Sequence, residues 1–144
     1  MFVRVVENAT DRENAFSIRR RVFVEEQGVP LHLELDELDR TATHFIAYDD
    51  DKPIAAGRLR ETDLKIGKVE RVCVIPEYRG KHIGNLMMKE MERYAAEVGF
   101  EKIKLNAQTH AIPFYQKLNY EITSPEFMDA GIPHRAMEKQ VSLK

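Results

Sequence analysis

Val72-Cys73-Val74-Ile75-Pro76-Glu77-Tyr78-Arg79-Gly80-Lys81-His82-Ile83-Gly84 carries an apolar strand into a basic, glycine-containing loop and then into a helix. The strand, read from Val69, is apolar on both faces near its end, as a central strand must be. Pro76 cannot donate to a ladder and closes it. Beyond the loop, Ile83, Leu86, Met87, Met91, Tyr94, Ala95 and Val98 form one helical stripe opposite Lys89, Glu92, Arg93 and Glu97, and Gly99 suits the residue just past the helix. A strand, a short loop and a helix in this order make an anion site, because the first amides of the helix lack internal partners and stand at the positive end of its dipole. Gly80 permits a tight turn, Gly84 permits close approach to a strand or ligand, and Arg79 and Lys81 add charge. The segment suits a diphosphate; it also suits a solvated helix start with two cations. His82 is expected to avoid positive φ while offering a ring donor.

Outward from this segment the period changes. Ile103, Leu105 and Ala107 alternate with Lys102, Lys104, Asn106 and Gln108, so residues 69 to 108 read as a strand, loop, helix and strand with the strands parallel. Upstream, residues 43 to 48 alternate with period two, and Asp49-Asp50-Asp51-Lys52-Pro53 turns them into a second strand from Ile54 to about Arg60. Residues 2 to 6 read as a strand. Thr10-Asp11-Arg12-Glu13 has capping-box spacing, which starts a helix at Thr10 that Gly28 and Pro30 end. Downstream, a short helix from about Ala111 to Leu118 precedes strands near Tyr120 to Thr123 and His134 to Val141, joined by a loop from Ser124 to Pro133. The expectation is one α/β (α+β) domain over residues 1 to 144, with a mixed sheet of about six to seven strands and flanking helices.

Composition narrows the partners. With 22 basic and 24 acidic residues the formal charge is -2, which gives no electrostatic case for binding nucleic acid, so any anion site is local. The single cysteine, Cys73, excludes an internal disulfide framework and fits a reducing compartment, with cytoplasm the expectation. No run of about eighteen apolar residues predicts a membrane span. The five histidines have no close ligand pair, so no metal site is expected.

Val72 to Gly84 resembles motif A of the GNAT acetyltransferases, whose loop is usually written [QR]xxGx[GA]. Ala111-Ile112-Pro113-Phe114-Tyr115-Gln116-Lys117-Leu118-Asn119-Tyr120 resembles their motif B, a tyrosine-bearing helix leading into the next strand. The element order matches the GNAT fold over nearly all of the chain. Arg20 to Pro30, with Asp36, Asp39, His44 and Gly131-Ile132-Pro133-His134, resembles the YjcF-like and ElaA-like bacterial branch. Two positions depart from the family pattern: His82 stands at the first glycine of the loop, and Asn119 where a glycine commonly precedes the strand after motif B.

The resemblance implies transfer of an acetyl or other short acyl group from acetyl-CoA to a primary amine of a small molecule or peptide, by direct attack in a ternary complex and without a metal. Arg79, Gly80, Lys81, His82, Ile83, Gly84 and Asn85 would hold the cofactor's diphosphate. The strand of Val72, Cys73 and Val74 would splay from that of Asn106 and admit the pantetheine, with Asn106 holding it and an amide near Val74 facing the thioester carbonyl. Tyr115, with a reference pKa of about 10 against about 8.5 for a thiol, is the expected general acid. Glu70 is the expected base, directly or through water, with an ion pair to a neighbouring arginine or lysine as the alternative. His44 and His134 are expected to line the acceptor pocket, where either can relay a proton. The acidic run from Glu25 and Glu26 to Asp39 either attracts a cationic amine or is a solvated face. Cys73, in an apolar strand with no local activator, is not expected to carry the acyl group. The competing reading is a sensor or regulatory module that binds acyl-CoA or CoA with little or no transfer; a GNAT-like homodimer is left open.

Overall fold

The computed structural model describes residues 1–142. Strands β1 (Phe2–Val5), β2 (Thr43–Asp49), β3 (Lys52–Asp63) and β4 (Ile66–Val74) are antiparallel neighbours in succession. Strand β5 (Lys102–Gln108) lies parallel to β4, and the crossover between them is a helix over Ile83–Glu97. Strand β8 (Ile132–Gln140) runs antiparallel to β5 and also pairs with two short strands, β6 (Glu121–Ile122) and β7 (Phe127–Asp129). The eight strands form one sheet in the order β1-β2-β3-β4-β5-β8-β6, with β7 on β8. The expected six or seven strands fall short because β7, three residues with Met128 and Asp129 exposed, lies in the stretch read as a loop and is too short to show a period.

Helix α1 (Ala9–Arg19) is capped two residues before the expected position. Asn8, not Thr10, accepts the amide of Asp11, at 2.8 Å. Asp11 decides this. Its buried carboxylate takes two bonds from Arg4 on β1 and one from the Tyr48 hydroxyl on β2, which fixes the helix start against the sheet. A π-helical segment, Arg20–Glu26, continues α1; α2 (Leu31–Glu34) and a 3-10 turn (Glu37–Arg40) follow. Helix α3 (Ile83–Glu97) buries Ile83, Met87, Met91 and Ala95 of the expected stripe on the sheet together with Met88, while Leu86 and Val98 are exposed; each fully buried methionine contributes about 1.5–3 kcal/mol. Helix α4 (Ile112–Lys117) follows β5. Among the described residues no helix is long and apolar enough to cross a membrane.

The acidic run divides: Glu25, Glu26 and Glu37 are exposed, while Glu34, Asp36 and Asp39 are tied to arginines and are neither a free lure for the acceptor nor a solvated face. Glu34 and Asp39 are buried, and arginines from distant elements meet them and Asp36. Arg19 bonds Glu34 at 2.6 Å and Asp39 at 2.8 Å; Arg58 of β3 bonds Asp36 and Asp39, each at 2.8 Å; Arg71 of β4 bonds Glu34 at 2.6 Å. Removing one partner from such a buried array costs about 3–5 kcal/mol, because a charge is left uncompensated out of water.

Candidate active site

Strands β4 and β5 pair only from Ile66 to Val69 and from Lys102 to Leu105. Past that point β4 stays paired with β3 as far as Val74, and β5 with β8 as far as Gln108, so the two strands part like a V. A bulge helps to turn β4 away: Gly57 alone faces two residues, Arg71 and Val72, and Arg71 sits at φ 60. That left-handed conformation is costly for a side chain larger than glycine. Arg71's guanidinium offsets it by reaching the carbonyls of Leu33 and Glu34 and the Glu34 carboxylate. Neither bulged residue, Arg71 nor Val72, is a glycine or asparagine that would signal it.

The V opens into a cavity of about 830 Å³ lined by Val72, Cys73 and Val74 on one wall and Asn106, Ala107 and Gln108 on the other, with Tyr115 of α4 and His134 of β8. Gln27, after the π-helical segment, bonds Gln108 at 2.9 Å across it. The Ile75 amide is given to Ile54 of β3 at 3.0 Å, so the alternation of an antiparallel ladder turns Val74's amide and carbonyl toward the gap. On that edge the Val74 carbonyl accepts Arg79 Nε at 3.0 Å.

At the head of the V, a smaller cavity of about 250 Å³ is lined by Gly80, His82, Ile83, Gly84 and Asn85 with Tyr78 and Phe114. Here α3 begins with no side-chain cap on its free amides, so the end of a fifteen-residue helix faces a hollow that an anion can fill. His82 corrects the expectation drawn for it: φ is 62, in the left-handed region, as Gly80 is at 78. Two successive left-handed turns expose the loop's amides, and histidine is among the side chains better tolerated there. Asn119, the other departure, is likewise left-handed, at 74. Gly84's role is packing: a Cβ would lie 3.1 Å from the Phe114 ring. Lys81 turns aside and stacks over Tyr78, 5.1 Å from the ring centre.

Tyr115 is half-buried, edge-on to Phe114 and Tyr120, and among the described residues no group accepts from its hydroxyl. Burial pushes its pKa up to about 12. The Cys73 thiol is also pushed up by burial to about 12, which keeps it protonated and non-nucleophilic.

Glu70 does not fit the role of base. Its carboxylate bonds Arg60 at 2.6 Å and Arg58 at 3.0 Å and pairs with Lys68 at 3.4 Å. Burial alone would raise its pKa, but these cations hold it at about 2, too weak to take a proton from an ammonium group. His44 does not reach the cavity. It is buried edge-on to Phe16, gives Nε2–H to the Asp39 carbonyl at 2.8 Å, and burial lowers its pKa. Glu25 is exposed and lies outside the cavity lining. Glu26 does line it, gripping Arg79 with bonds of 2.6 and 2.7 Å.

Residues 7–141 match the family model described as Acetyltransferase (GNAT) domain. The chain is 45% identical over 136 residues to YjcF of Bacillus subtilis (strain 168), described as an uncharacterized N-acetyltransferase, covering 94% of this chain and 96% of that one. It is 30% identical over 128 residues to protein ElaA of Escherichia coli (strain K12), covering 86% and 84%. A crystal structure from Lactobacillus plantarum, described as a candidate N-acetyltransferase, superposes with a TM-score of 0.90 at 27% identity, over 98% of this chain and 99% of that one.

Proposed function

The chain belongs to the GNAT acetyltransferase family, and on that premise we propose that it moves an acetyl group from acetyl-CoA to a primary amine of a small molecule or peptide by direct attack in a ternary complex. The observation that carries this reading is the parting of β4 and β5 above an uncapped helix start, which joins a place for a diphosphate to a slot for an extended chain. The amides of Gly80 to Asn85 bind the diphosphate, with the Arg79 guanidinium held beside them by Glu26. The free edge of Val72 to Val74 and the Asn106 side chain take the pantetheine in place of the missing strand pairing. Acetyl-CoA supplies the activated acyl group. The Val74 amide donates to the carbonyl oxygen as negative charge builds on it, and Tyr115 donates its hydroxyl proton to the departing sulfur. Cys73, buried and protonated, takes no acyl group.

Placement supports Tyr115. It lines the cavity, no group among the described residues accepts from its hydroxyl, and burial pushes its pKa up to about 12, so it is protonated at neutral pH and can donate to a departing thiolate.

Thiol release from acetyl-CoA, screened over polyamines, amino sugars, amino acids and lysine peptides, tests this reading. It expects amine-dependent release saturable in acetyl-CoA. One observation favours a second reading: the carboxylate on the central strand, Glu70, is tied to three cations and unfit as a base, as in a module that binds CoA without turnover. That reading requires tight CoA binding with no amine-dependent release.

A further inference from the structure

With Glu70 neutralised, the proton of the acceptor amine needs another destination, and we propose that it is Nε2 of His134, on the β7–β8 hairpin, with Asp129 of the same hairpin holding a second positive charge on the acceptor. This rests on the reading of the chain as an amine acyltransferase.

His134 is buried, at 8% exposure, and lines the large cavity. Its Nδ1 lies 2.7 Å from the carbonyl oxygen of Ile132. A carbonyl only accepts, so Nδ1 carries the proton and Nε2 holds a lone pair. Among the described residues nothing bonds Nε2. The ring is held in place, stacked on Phe127 with centres 6.1 Å apart and planes 21° apart. It therefore has the attributes of a base: a fixed tautomer, a fixed orientation and a lone pair left for the cavity. His110 also lines the cavity, but it is exposed and no hydrogen bond sets its ring.

Asp129 follows from the charge balance. Four carboxylates line the cavity, and three are matched: Glu26 by Arg79, Glu34 by Arg71 and Glu70 by Lys68. Asp129, exposed where the hairpin borders the cavity, has no ion pair or side-chain hydrogen bond among the described residues. The reacting nitrogen must be neutral when it attacks, so a carboxylate left unmatched at the cavity's rim suits a second cationic group, and the acceptor class assigned to the site is an aliphatic diamine or a lysine-like amine. In the reaction the amine nitrogen bonds to the thioester carbon and the carbon–sulfur bond breaks. His134 takes the proton the nitrogen sheds, and Tyr115 gives one to the sulfur. Solvent returns the imidazolium's proton to the tyrosinate, so amine and thioester become amide and thiol with no net change in protons.

The test uses His134→Gln and Asp129→Asn with acetyl-CoA and matched aliphatic monoamines and diamines, read by thiol release, by calorimetric CoA binding and by diamine binding to the CoA-saturated protein. H134Q is expected to lower kcat by about 100-fold or more while leaving the CoA Kd and the acetyl-CoA KM within about 2-fold. A ring that served only packing would shift binding and thermal stability with kcat. D129N is expected to weaken diamine binding and raise the diamine KM by up to about 5-fold, leaving monoamines unmoved. If the wild-type protein releases thiol with an amine and H134Q keeps its kcat, His134 is not the base and the acyltransferase reading stands. Equal effects of D129N on monoamines and diamines remove Asp129 from the assignment. If wild type turns over no amine while binding CoA, both readings fall together.

Discussion

Replacing Tyr115 by phenylalanine removes one oxygen atom and leaves the ring that packs edge-on against Phe114 and Tyr120, 4.9 and 5.8 Å away. Because the hydroxyl has no partner among the described residues, its loss breaks no hydrogen bond there, and stability should change by less than about 1 kcal/mol. Catalysis should change far more. A hydroxyl that burial holds at about 12 stays protonated across the working pH range and is available to the departing sulfur. Without it, the sulfur must leave as a buried anion or await water, and general-acid catalysis of this kind contributes about 100- to 10,000-fold. At about 1.36 kcal/mol per tenfold, a loss of 100- to 1,000-fold is about 2.7–4 kcal/mol of transition-state stabilisation. Steady-state thiol release should show that loss in kcat, with the acetyl-CoA KM within about 2-fold of wild type and an unchanged melting temperature. Wild-type turnover should also show no alkaline decline from Tyr115 below about pH 10, since its ionisation lies near 12. A kcat within about 3-fold of wild type in the phenylalanine variant would refute the role.

Glu26→Gln releases the Arg79 guanidinium from its two short bonds; an exposed pair of this kind is worth up to about 1 kcal/mol, so acetyl-CoA should bind up to about 5-fold tighter by calorimetry. Gly84→Val places its branch on the Phe114 ring, where even a Cβ comes to 3.1 Å; thermal denaturation should record a loss of about 1–3 kcal/mol, and CoA titration a weaker Kd as the loop is displaced. Asp39→Ala leaves the buried Arg19 and Arg58 short of a partner and should cost about 3–5 kcal/mol in urea unfolding. Asp39 is lowered from 3.8 to about 2 and Glu70 from 4.5 to about 2, so the unfolded chain binds protons first. The stability these two contribute is complete above about pH 5 and is lost as pH falls through about 2, which urea midpoints measured across that range should follow.

The phosphate loop, the strand before it and the helix after it were legible because each writes its signal locally: an apolar run closed by Pro76, glycine at Gly80, and an amphipathic stripe from Ile83. The parallel pairing of β4 and β5 was legible for the same reason. What was not legible depends on partners remote in sequence. Glu70 reads as a base until Arg58 and Arg60 are brought beside it, and Asp39 reads as solvated until Arg19 and Arg58 bury it. The left-handed residues His82 and Arg71 carry side chains that ordinarily avoid that region; the first is set by the loop's turn and the second by carbonyls of Leu33 and Glu34. His134 was visible as a candidate, but its tautomer follows only from the Ile132 carbonyl at 2.7 Å.

The central claim, direct transfer of an acyl group within the V between β4 and β5, is tested most directly by a single turnover with isotope-labelled acetyl-CoA and an aliphatic diamine, followed by mass spectrometry of protein and product. The account predicts label in the amide of the diamine, one CoA thiol per amide, and a protein of unchanged mass at every time point. Label retained on the protein, or thiol released with the label in free acetate and none in an amide, would contradict it.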